Sequence, residues 1–124
     1  MNQYDPNVSP LVDEWLAIDE DERLELVMDF HSEVEDRGAS REVHASIHVI
    51  VENQIAMEVE NVPRTLAKLI RQGLNRHEAI HAIGAIITQD TFSLLKRHED
   101  TWDSKRYRRK LEKLTAKRWR KGQI

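Results

Sequence analysis

The sequence contains no cysteine. Disulfides and thiolate metal sites are therefore excluded, and only His, Asp and Glu remain as metal ligands. Glycine and proline are scarce, with four and three residues in a chain of 124. So little turn-forming material implies few, long elements. No apolar run approaches the roughly 20 residues that span a bilayer, so no membrane span is expected. The opening stretch MNQYDPNVSP has neither a basic n-region nor an apolar h-region. No signal peptide is expected there, and the default location is the cytoplasm. With 40 % hydrophobic and 33 % charged residues, the composition suits one small soluble domain with a real core.

The net charge of −3 conceals an asymmetry. Residues 1–95 hold 7 Lys/Arg against 18 Asp/Glu, a net of −11, whereas residues 96–124 hold 12 against 4, a net of +8. The chain divides on this basis into an acidic helical-bundle domain, 1–95, and a basic C-terminal helix or tail, 96–124.

Periodicity predicts an all-α, single-domain bundle of about five helices with a basic helix at its end. Ser9 and Pro10 open a short helix in SPLVDEWLAI as candidate N-cap and first helical residue. The segment from Asp19 begins with a run of acids, which suits the positive end of a helix dipole, and Gly38 is its expected stop. Ser40 is a candidate cap for the next helix, whose apolar set is Val43, Ile47, Ile50, Val51 and Ile55. Its SIHVIVE stretch is rich enough in β-branched residues to form a strand, but the surrounding period is helical. A shorter helix has Pro63 at its start and Gly73 at its end. Asn75 then caps a long helix with Ile80, Ile83, Ile87 and Leu94 on one stripe, and Asp103 or Ser104 caps a basic helix over the tail.

Residues 77–81 read HEAIH, the H-E-x-x-H spacing of zinc peptidases. A second pair with the same spacing, His44 and His48, gives H-x-x-I-H-x-I at both 44–50 and 77–83. Residues four apart lie one above the other on a helix, close enough for two imidazoles to share an ion. Both pairs lean toward an apolar stripe, and interior imidazoles need partners. Glu52 extends the first pair into an H-x3-H-x3-E row. Gly84 lies one turn beyond His81, where a missing side chain permits close approach. The resulting candidate metal ligands are His44, His48, His77, His81 and Glu52, for zinc, iron, manganese or nickel. Glu78 is the candidate general base. The competing readings are hydrogen-bonded structural histidines and a metal-free polar pocket. A peptidase would need a third ligand, for which Glu99 has the spacing, and a strand to align its substrate, which the sequence does not supply. His31 and His98 have no pair at this spacing.

Residues of about 41–95 resemble a family of small bacterial helical proteins of unknown function. That family carries a helix with H-x-x-x-H followed by an E-n-Q element, then a short helix, then a second H-x-x-x-H helix. The matching residues are His44, His48, Glu52, Gln54, His77 and His81. The resemblance implies that the histidines act as a set. It implies no reaction, and it does not extend to the basic tail.

The tail interleaves Tyr107, Leu111, Leu114 and Trp119 with Lys and Arg. Its candidate partner-binding residues are Lys105, Arg106, Arg108, Arg109, Lys110, Lys117, Arg118, Trp119 and Arg120. Such a surface can contact nucleic-acid phosphates or an anionic membrane surface, or it can dock on the acidic body. The leading reading is a divalent-metal site with scope for catalysis. The alternative is a non-enzymatic nucleic-acid-binding or protein-interaction module. A second copy of the chain is a further candidate partner.

Overall fold

The structure, a computed structural model, describes residues 1–32, 41–98 and 101–124. Among these residues it is all helical: α1 (Val12–Ala17), α2 (Glu20–Ser32), α3 (Arg41–Ala56), α4 (Val62–Arg71), α5 (Arg76–Lys96), α6 (Ser104–Lys113) and α7 (Ala116–Arg120). No strand occurs in the described residues, and SIHVIVE lies within α3. No described helix is long and apolar enough to cross a membrane.

Local chemistry explains where the helices stop and start. Leu11, rather than Ser9, is the N-cap of α1, and Asp13 and Glu14 fill its first turn. A six-residue helix leaves most of its last carbonyls unmet. Arg23 meets two of them, donating to the carbonyls of Trp15 at 2.9 Å and Leu16 at 3.2 Å. The expected stop at Gly38 and cap at Ser40 lie outside the described residues. Helix α3 ends at Ala56. Glu58 takes a left-handed φ of 53°, and the Glu58 and Val59 amides bond back to Ile55 and Gln54. The same two-bond closure ends α4 around Gly73, whose φ of 105° few other residues adopt. Asn75 caps α5 in a full capping box with Glu78. The single basic helix expected at the end is instead two, because Thr115 turns extended and its side chain caps the Arg118 amide at 3.1 Å.

Two apolar clusters form the interior. Tyr4, Trp15, Val27, Ala45 and Val49 form the smaller, and Val51, Val62, Leu69, Ile80, Ile83 and Leu111 belong to the larger. Helix α3 faces both. Ala45 and Val49 turn toward α2, while Ile47, Val51 and Ile55 turn toward α5. With two buried sides, the remaining face is the one opposite the seam. Val43 and Ile50, expected in the core, are therefore exposed, at 58 % and 37 %.

The basic segment is packed into the same domain as the acidic one. Tyr107, Leu111, Leu114 and Ala116 are buried in the larger cluster beside α4 and α5. Asp90 of α5, 1 % exposed, is the electrostatic anchor, paired with Lys110 and, at 3.7 Å, with Arg106. The Tyr107 hydroxyl donates to Gln54. Lys68 donates to the last carbonyls of α6, at Leu111 and Glu112. Asp90→Ala should therefore cost about 3 kcal/mol, near the low end for breaking a buried ion pair because both cations are partly solvated. Chemical denaturation measures this, and limited proteolysis should cut first between α5 and α7. A variant as stable as the parent would show that apolar packing alone holds the segment.

Candidate metal centre

At about 100° per residue, His44, His48 and Glu52 form one row on α3, along the seam between the two clusters. His77 and His81 flank the isoleucine stripe of α5 in the same way. Helices α3 and α5 approach closely because Gly84 has no side chain. A Cβ there would lie 2.6 Å from Ile47 Cγ2.

The crossing brings all four rings together. Ring centroids of His44 and His48 lie 4.9 Å from that of His81, and the His77 ring lies 4.4 Å from His81 and 5.2 Å from His48. Three Nε2 atoms converge. That of His81 is 3.2 Å from that of His44 and 2.9 Å from that of His48. One ligand nitrogen from each of these residues lies within 4.8 Å of the others. A neutral ring nitrogen carries one hydrogen or one lone pair, in the ring plane. Hydrogen bonding from His81 Nε2 cannot serve both neighbours with good geometry, whereas a cation accepts all three lone pairs.

Glu52 does not join this group. Arg76 grips it with two hydrogen bonds, NH2 to Oε1 at 2.7 Å and NH1 to Oε2 at 2.8 Å, and the Tyr4 hydroxyl donates to Oε2 at 2.6 Å. Arg76 also donates to the Pro6 carbonyl at 3.0 Å. Burial opposes the Arg76 charge, but the hydrogen bonds and charge of Glu52 outweigh it and push its pKa up. The Tyr4 oxygen lies 3.2 Å from His48 Nδ1. Its proton is committed to Glu52, so it accepts from Nδ1–H, and the Nε2 lone pair of His48 then faces the trio. Glu52 thus serves the site at one remove, as an orienting group.

Glu78 is turned away as well. It is exposed, and its Oε1 accepts the Asn75 amide at 3.1 Å, so its carboxylate belongs to the capping box. H-E-x-x-H is therefore not the unit of the site. The trio takes one histidine from that motif and two from α3, and the candidate base points elsewhere. His98 is exposed just past α5. The side chain of His31 and all of Glu99 lie outside the described residues.

Tyr4 and Arg76 had not been picked out from the sequence. Arg76 had a readable signal, since a cation in the first turn of a helix opposes the dipole and calls for a carboxylate. Tyr4 had none, lying in an irregular segment 48 residues from Glu52. The tail residues are mostly engaged within the chain. Arg106 and Lys110 bind Asp90, and Arg108 binds Glu60 at 2.8 Å. Arg118 and Arg120 donate to backbone carbonyls, and Trp119 is half-buried. Lys105, Arg109 and Lys117 are exposed. Comparison of the chain with family models, curated proteins and solved structures finds no significant match in any of the three.

Both tyrosines of the chain have pKa values raised by burial first, then by a carboxylate, Glu52 for Tyr4 and Asp90 for Tyr107. A folded pKa above the unfolded value of about 10 stabilises the fold below that pH and withdraws the gain as pH rises past it. Phenolate absorbance should therefore stay flat through pH ~10 while the helical signal persists, and appear only with unfolding. Titration of both residues near pH ~10 in the native protein would contradict the buried hydroxyl contacts.

Proposed function

We propose that this protein is a metal-dependent small-molecule-binding protein whose centre is a divalent ion held by His44, His48 and His81 through Nε2. The convergence of three nitrogens from two helices carries the reading. Two nitrogens each about 2.0–2.1 Å from one ion lie about 2.9 Å apart at a right angle and about 3.3 Å apart at a tetrahedral angle. The distances of 2.9 and 3.2 Å fall within that span. The Tyr4–Glu52 chain behind His48 is the kind of support that orients metal-binding imidazoles.

The trio supplies three of the four to six donors that such ions take, and we assign a further position to an outside ligand. Zinc suits the set best, since three histidines plus one exchangeable position is a known pattern of catalytic zinc sites. The oxygenase pattern of iron asks for a carboxylate in place of the third histidine. Bound there, zinc would supply Lewis acidity, of the kind that brings the pKa of a coordinated water to about 7 in three-histidine sites. No base role is assigned to Glu78, whose carboxylate is engaged in the helix cap. Nucleic-acid binding by the tail has less support, because Arg106, Arg108, Lys110, Arg118 and Arg120 are engaged within the chain itself.

Elemental analysis of protein made without a polyhistidine tag should find about one equivalent of metal. Saturating metal, a hundred- to a thousand-fold above Kd, should raise stability by roughly 3–4 kcal/mol. His44→Ala, His48→Ala and His81→Ala should each lose most of that gain, and His98→Ala should keep it. Metal-free protein whose melting temperature is unmoved by zinc, iron, manganese and nickel would end the proposal. Tyr4→Phe should still bind metal, but about 10–100-fold more weakly. Unchanged affinity would remove the orienting role of Tyr4.

A further inference from the structure

The histidine trio lies at the edge of a cleft of about 500 Å³, a size typical of small-molecule sites. Ile47, Ile80, Ala85, Trp119 and Ile124 give it apolar walls. Among the described lining residues Thr88 and Gln89 carry polar side chains as well, and both are engaged. Thr88 donates to the Gly84 carbonyl at 2.9 Å. Gln89 donates to the main-chain oxygen of Ile124 at 3.1 Å and accepts from Lys110 at 2.9 Å. Among the described residues, no Asp, Glu, Lys or Arg side chain lines the cleft.

We propose that the cleft binds a small monocarboxylate with an apolar chain, its head group on the metal and its chain between Ile80 and Trp119. The inference rests on the metal reading above. Three neutral imidazoles add no negative charge of their own to offset the double positive charge of the ion, which favours an anionic oxygen donor over a neutral one. The walls offer the rest of the ligand apolar contact and few polar partners, so they select a hydrocarbon body. Helices α3 and α5 supply both features. Trp119 of α7 also lines the cleft and gives the tail a part in recognition.

The test uses the full chain, with its metal content measured first, and three probes: octanoate, acetate and 1-octanol. Binding is read by calorimetry and by Trp119 fluorescence, with Trp119→Phe identifying the signal. Octanoate should bind metal-loaded protein at least about tenfold tighter than acetate, since each buried methylene strengthens binding by roughly fourfold. It should also bind tighter than 1-octanol, and that preference should vanish when the metal is stripped. Ala85→Phe fills the cleft and should abolish octanoate binding while metal content stays at the parent level. Thr88→Phe at the rim should weaken octanoate binding should the first variant fail to fold. Equal affinity for octanoate and acetate in metal-loaded protein overturns the inference and leaves the metal centre standing. Equal affinity for octanoate and 1-octanol refutes the head-group assignment. Protein that holds no metal brings down both proposals, and elemental analysis reveals this before any probe is added.

Discussion

Glu52 and Arg76 form an ion pair almost wholly inside the protein, at 2 % and 8 % exposure. Moving two charges out of water is costly, and the pair is tolerable only with close geometry and additional hydrogen bonds. Both conditions are met. The pair is bidentate, Tyr4 takes a further site on Glu52, and the Pro6 carbonyl takes one on Arg76. Three stretches far apart in the chain are thereby joined: the N-terminal segment, the C-terminal half of α3 and the first turn of α5. Because the guanidinium fork accepts one orientation of the carboxylate, the joint also fixes how α3 and α5 are rotated against each other. That rotation turns His44 and His48 toward His81.

Gly84 supplies the second condition for the meeting. A helix crossing at ordinary separation would hold the two histidine rows apart. The bare Cα opposite Ile47 lets the backbones approach, and the imidazoles close the remaining gap. Asn7 adds to the ordering by accepting the His77 amide at 3.1 Å, at the start of α5. The site thus stands on two helices and a strap, with its donors on rigid elements rather than loops.

Part of the charge asymmetry of the chain is met by its own folding. Asp90, buried on α5, receives Lys110 and Arg106, and Glu60 receives Arg108. At a buried carboxylate this complementarity is screened far less by salt than at the surface. Docking also carries Trp119 and Ile124 to the cleft beside the histidines, so a segment whose composition suggested an external partner becomes a wall of the site.

The helical class, the positions of the caps at Asn75 and Asp103, and the pairing of histidines at i,i+4 were all legible in the sequence, because each depends on residues within one or two turns. The same local reasoning named four histidines and placed Gly84 beside them. It assigned Glu52 to the metal and Glu78 to catalysis because one carboxylate looks like another until its neighbours are known. The cap that holds Glu78 spans only three residues, from Asn75, and is a local contact. Only the tertiary structure gave Glu52 to Arg76 and Tyr4 and selected one histidine of the H-E-x-x-H motif to join two from another helix. It also exposed Val43 and Ile50, since which side of α3 is buried depends on what packs against it. These outcomes turn on contacts between residues 24 to 48 positions apart, and helical periodicity carries no information about the rotation and separation of two helices.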